Sequence, residues 1–178
     1  MSFTSDRWIN LKPQGANLEV EDFLSMRFAN ISALLHRNVT KQYLAQHDIG
    51  LPEWRVITML VRYGSVTTRE LRQASGMDKG QMSRALRELE KRKLLERDAD
   101  ATHELRQVLR ISAAGNALYR RIMPDARKSQ AALLGHLTLA ERKALDSALR
   151  KLKALAEEAP ANEAERKRSA RKNGSRKP

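Results

Sequence analysis

The segment Thr67–Ser112 is so closely punctuated by helix caps, a glycine turn and a polar break that few folds can accommodate it. Thr67-Thr68-Arg69-Glu70 reads as a capping box: the Thr67 hydroxyl caps the amide of Glu70 while the Glu70 carboxylate reaches back. The helix it opens is brief, with Leu71 and Ala74 inward, and it ends at Ser75-Gly76. Asp78 then caps a second helix, Lys79 to about Arg92, in which Met82, Ala85, Leu86 and Leu89 form one narrow apolar stripe. Two strand-like runs follow, Leu94–Arg97 and Leu105–Ile111, and the polar stretch Asp98–Glu104 between them reads as a hairpin tip. Two short helices across a tight glycine turn make a helix-turn-helix, and a hairpin directly after makes it winged.

The second helix carries chemistry on its other side. At about 100° per residue, Gly80, Arg84, Arg87 and Lys91 cluster opposite the apolar stripe, with Ser83 on the flank. Lys79 and Gln81 lie in the first turn, where recognition helices meet base edges. Arg pairs with guanine bidentately and Gln with adenine. Thr67 and Thr68, opening the preceding helix, belong to the same expected contact set. In the second strand, alternation puts Leu105, Leu109 and Ile111 on one face and Arg106, Val108 and Arg110 on the other. Arg106, with Arg97 from the first strand, is suited to phosphate or minor-groove contact. A basic helix face alone is usually a solvated face. The complete order of capping box, short helix, glycine turn, basic-faced helix and hairpin points to double-stranded DNA.

Around this lobe the pattern is helical. Residues 1–19 form an irregular arm containing Pro13 and Gly15, in which Trp8 and Leu11 are suited to docking, for instance on a partner subunit. Residues 20–64 hold the leading helices: Val20 to about His47, with Phe23, Ile31, Leu34, Leu35 and Leu44 at helical spacing, then a second helix from Pro52 to about Arg62. The lobe is 65–112. Residues 113–158 hold a helix capped by Ser112, with Pro124 predicting a kink or break, and a last helix opened by the capping box Thr138-Leu139-Ala140-Glu141. Residues 159–178 are a basic low-complexity tail expected to be disordered. The fold class is mainly α with a small β-hairpin: a winged lobe plus a helical dimerisation region. A two-fold dimer would double the base contacts of one lobe at about 34 Å spacing.

Charge agrees with this reading. Thirty-four Lys+Arg against 21 Asp+Glu give a net +13, which favours polyanionic partners. The tail supplies +5 of this, leaving +8 on the body. With no cysteine there is no disulfide or thiolate metal site. Val56–Val61, the longest apolar run, is far too short to span a bilayer, and no signal-peptide layout opens the chain, so a cytoplasmic protein is expected.

The run TTRELRQASGMDKGQMSRALRELEKRKLLERDADATHELRQVLRIS, with the preceding IGLPEWRVITML and the later LTLAER, resembles the MarR family of winged-helix regulators over roughly Val20 to Leu155. The resemblance implies a homodimeric repressor that straddles a pseudo-palindromic operator and releases it on binding a small, often phenolic or anionic, ligand. Asp78, Lys79, Gln81, Ser83 and Arg84 match the opening of the family's recognition helix, and Leu94 and Arg97 its entry to the wing. In the wing the family usually carries an Asp-Arg-Arg-like triplet where this chain has His103, Glu104 and Leu105, and Arg106 falls one position late. Either the wing is re-registered so that Arg106 serves, or minor-groove contact is weaker.

No nucleophile elbow, phosphate loop or paired-carboxylate motif supports catalysis, and no cofactor is implied. His36 and His47 lack metal-site company and are read as capping or surface residues. For an effector, Arg27 and Arg37 on the first helix and Trp54 and Arg55 opening the second are candidate ligand-binding residues, since an Arg beside Trp suits an anionic aromatic. The competing function is a non-specific architectural or RNA-binding protein using the same basic faces.

Overall fold

The computed structural model describes residues 6–100 and 103–174, and for residues 99–100, 103–106 and 159–174 it describes the backbone alone. The chain divides into two compact units, residues 1–129 and 130–178.

The first unit opens with a single helical turn, α1 (Asp6–Ile9), and two 3₁₀ turns, Pro13–Gly15 and Val20–Asp22. The arm docks on its own chain. Buried Asp22 accepts hydrogen bonds from Arg7 at 2.8 Å and Arg27 at 2.7 Å. The Trp8 indole N–H donates to the Asp22 carbonyl at 2.7 Å, and its ring lies 4.2 Å from the Arg27 guanidinium. The Arg7 hydrogen bond, reinforced by that of Arg27 and by the Glu19 amide, holds the Asp22 carboxyl below its ordinary range.

Phe23, extended at ψ 131°, separates the Val20–Asp22 turn from α2 (Leu24–Leu35), so the expected continuous helix from Val20 starts one turn late. A π-turn, His36–Thr40, then carries the chain into α3 (Lys41–Ala45). Gly50 and Pro52 start α4 (Leu51–Tyr63), as proline in a first turn does, and Gly64 at φ 76° stops it. The capping box then opens α5 (Thr68–Ser75), which Gly76 ends in the left-handed region at φ 65°. Asp78 Oδ1 accepts from the Gln81 amide at 2.8 Å and starts α6 (Lys79–Lys91).

Strands β1 (Leu95–Asp100) and β2 (His103–Ile111) pair antiparallel, and Val66 adds a one-residue bridge to Leu109. Val56, Ile57 and Leu60 of α4 form the centre of the core. Leu71, the α6 stripe, Leu94, Leu95 and Leu109 close over them, joined by Leu118 and Ile122. These last two lie on α7 (Ala113–Gly135), whose helical assignment passes unbroken through Pro124, where a break was one of the expectations. Its start is stitched to the end of α6. Ser112 Oγ donates to the Lys93 carbonyl at 2.8 Å and accepts from the Gly115 amide at 3.0 Å. Glycine is required at 115, because a Cβ there would lie 2.1 Å from the Leu94 carbonyl oxygen.

The second unit contains the end of α7 and α8 (Leu139–Gly174), which begins at the expected box. Thr138 Oγ1 and its amide both donate to Glu141 at 2.8 Å, and these bonds hold the Glu141 carboxyl below its ordinary range. The backbone of α8 continues past Glu158, where the helix was expected to end, and residues 175–178 of the basic tail lie outside the described residues.

Candidate nucleic-acid interface

The outer face of α6 follows from its inner one. With Met82, Ala85, Leu86 and Leu89 all buried, helical geometry leaves Lys79, Gly80, Gln81, Ser83, Arg84 and Arg87 in solvent. Gly80 has a local use: a Cβ there would lie 3.3 Å from Arg84 Nη1, so its absence makes room for the guanidinium to lie back toward the helix start. Arg87 Nε likewise turns back to the Ser83 carbonyl at 3.4 Å.

A groove of about 440 Å³ runs along this face and gathers residues from three elements: Thr68 of α5, Lys79, Ser83 and Arg87 of α6, and Arg97 of β1. It also contains Arg69 and Arg72, which the sequence reading did not select. Their signal was present, since they are the exposed cations three apart on the short helix whose Leu71 points inward. Five cationic side chains thus line one groove, and anions are the ligands it suits. Gln81 and Arg84 are exposed at the helix start but do not line the groove. Thr67 is buried, its hydroxyl donating to Glu70 Oε2 at 2.7 Å and accepting from the Glu70 amide at 3.2 Å, so it positions α5 from within.

The wing is braced by carboxylates. Arg97 Nε donates to Glu90 of α6. Arg110 Nε lies 3.4 Å from Asp98 and donates to Ser65 Oγ at 3.3 Å. Val108, expected on the outward basic face, is buried, while Arg110 on the same face is exposed. The register shifts between Ala99 and Asp100: Ala99 pairs with Gln107, but Asp100 pairs with His103. The irregularity falls at the displaced arginine, Arg106, whose side chain lies outside the described residues.

The four expected ligand residues have separate surroundings. Arg27 is buried against Asp22, and Arg37 is exposed. Trp54 is buried and stacks on Tyr119, with ring centroids 5.7 Å apart and planes at 22°. Arg55 lines a shallow groove with Thr58, Met59, Arg62 and Tyr63. Any ligand sandwiched on Trp54 would have to displace Tyr119. His47, expected at the surface, is largely enclosed, with Nε2 buried 3.9 Å from Asp125 Oδ2. Among the described residues no group of three His, Cys, Asp or Glu converges, and no helix is long and apolar enough to cross a membrane.

Comparison with known proteins decides the lobe's kinship: residues 47–113 match the sequence profile of the MarR family. Over that span the chain is similar to the MarR family. The matched span runs from just after α3, through α4 and the lobe, to the Ser112 joint, so it takes in the whole basic groove. Solved MarR-family structures extend the likeness beyond the lobe. A MarR/EmrR family regulator from Acinetobacter sp. ADP1 superimposes with TM-score 0.70 at 21% identity, over 79% of this chain and 99% of that one. S. aureus MepR, solved in complex with DNA, gives 0.65 at 22% identity, over 78% and 99%. Bordetella bronchiseptica BpsR, whose DNA binding is regulated by 6-hydroxynicotinic acid, gives 0.65 at 20% identity, over 76% and 96%. At this identity the likeness establishes the fold. No curated protein matches the sequence.

Proposed function

We propose that the chain is a sequence-specific DNA-binding transcription regulator, a cytoplasmic homodimeric repressor released from a pseudo-palindromic operator by a small ligand. The observation that carries this reading is the groove in which α5, α6 and β1 bring Thr68, Arg69, Arg72, Lys79, Ser83, Arg87 and Arg97 together on a MarR-family lobe. Lys79, Gln81, Ser83 and Arg84 at the α6 start read base edges, while the arginines of α5 and the wing hold phosphates.

Dimerisation is supported by unpartnered apolar faces. Leu24, Phe28, Ile31 and Leu35 recur at four- and three-residue spacing along α2 and are 37–42% exposed. On α8, Leu145 and Leu149 are 44% and 43% exposed. Stripes of this size in water mark interaction surfaces. Release by a ligand is supported by the likeness to BpsR, though the ligand of that protein is its own.

Footprinting on the DNA flanking the protein's own gene, followed by anisotropy titrations at fixed salt, tests the proposal. A discrete two-fold site bound at least about 1,000-fold more tightly than random duplex supports it. A ratio near one supports a non-specific architectural or RNA-binding protein and overturns it.

A further inference from the structure

A second cleft, of about 570 Å³, lies on the first unit between the π-turn and α3, the start of α4, and the last turns of α6. Its volume is in the range of small-molecule sites. His36, Lys41, Leu44 and Ile49 line it from the leading segment and Glu88 and Arg92 from the end of α6 and the residue after it.

Three observations mark it as more than a surface dent. The π-turn His36–Thr40 supplies His36 to its lining, and π-bulges within helices recur at functional sites. His36 Nδ1 is buried there without a hydrogen-bond partner, an uncommon and costly condition in a folded protein. The charges of the cleft are also selectively satisfied. Arg92 Nη1 donates to the Asp48 carbonyl, and the guanidinium lies 4.0 Å from the Asp48 carboxylate. Glu53 folds back over Gly50 at the start of α4, where the helix dipole favours a carboxylate. The side chains of Lys41 and Glu88, both exposed, have no ion-pair or hydrogen-bond partner among the described residues, and both residues line the cleft.

We propose that this cleft binds a small zwitterion with an apolar side chain, of amino-acid or dipeptide size. A dianion would pair with Lys41 but meet Glu88, Glu53 and Asp48, and a dication would meet Lys41 and Arg92. A zwitterion sets its carboxylate toward Lys41 and its ammonium toward Glu88, with the apolar group over Leu44 and Ile49. Glu88 lies on α6 and Arg92 is its C-cap, so an occupied cleft joins the leading helices to the end of α6. Only that coupling to DNA rests on the function proposed above. Occupancy of the cleft does not.

The test is calorimetric titration of the full chain with L-phenylalanine and the dipeptide Leu-Leu, with N-acetylphenylalanine and phenylalanine amide as probes lacking one charge. Each is titrated into the unaltered protein and into Lys41→Gln and Glu88→Gln, whose folding is checked by circular dichroism. At least one zwitterion binds the unaltered protein, and each single-charge probe binds at least about tenfold more weakly. Lys41→Gln abolishes discrimination against the amide, and Glu88→Gln abolishes discrimination against the N-acetyl form. No zwitterion binding at about 10 mM, or binding indifferent to both substitutions, overturns the site. A zwitterion that binds as stated but leaves operator affinity unchanged overturns the coupling alone. Loss of operator specificity with the binding pattern intact sinks the proposed regulator and leaves the cleft standing.

Discussion

The winged lobe and the leading helix α2 have opposite relations to water. In the lobe and in α4, which packs into its core, Leu60, Leu71, Met82, Leu89 and Leu109 are each at most 1% exposed, and the starts of α4, α5 and α6 each carry a side-chain cap or a proline. On α2, Phe28, Ile31 and Leu34 stand 40–43% exposed, and the helix start has no side-chain cap. A region that closes its own core needs no partner, whereas one that leaves an apolar stripe open is finished by something else. The lobe is therefore a self-sufficient unit, and α2 is an unfinished surface.

The first way to break this comparison is in the core that α4 shares with the lobe. Leu60→Ala removes a fully buried side chain from the core centre and is expected to lower stability by about 2–5 kcal/mol in denaturant titrations. A loss below about 1 kcal/mol would mean that the core is looser than its burial implies. Next is the open stripe. Phe28→Glu with Ile31→Glu should weaken self-association at least about 100-fold by sedimentation, roughly 2.7 kcal/mol, while the lobe keeps its fold. An unchanged association constant would show that α2 is not the unfinished face.

Arg84→Ala should cost about 1–3 kcal/mol in operator affinity and relax preference at one base position without altering stability. Equal losses on operator and random DNA would reduce Arg84 to a phosphate contact. The smallest effects separate the two capping boxes. Thr67→Ala should destabilise by about 1 kcal/mol, and Thr138→Ala by less, because Thr67 is buried and Thr138 exposed. Since the Glu141 carboxyl is lowered by Thr138, its contribution is complete above the ordinary value of 4.5 and is lost as pH falls through the depressed folded value. Acid titration of Thr138→Ala should therefore be flatter than that of the unaltered chain below that pH.

What could be read from the sequence was local. The boxes at Thr67 and Thr138, the Asp78 and Ser112 caps and the Gly76 turn are each decided within three residues, and all five form as expected. The basic face of α6 followed from its apolar stripe by geometry alone. Contacts across longer separations were not legible: Trp8 reaches Asp22, and Trp54 finds Tyr119 rather than an arginine. The π-turn has no composition signature, because one extra residue in a helical turn leaves the apolar spacing nearly unchanged. Arg69 and Arg72 required knowing that α5 and β1 share a groove with α6.

The joint at Gly115 has a mechanical consequence. With no room for a Cβ between residue 115 and the Leu94 carbonyl, and with Ser112 tied to Lys93, the start of α7 packs directly on the turn that leads from α6 into the hairpin. No free loop lies in between, so a substitution at either Ser112 or Gly115 disturbs helix and hairpin together.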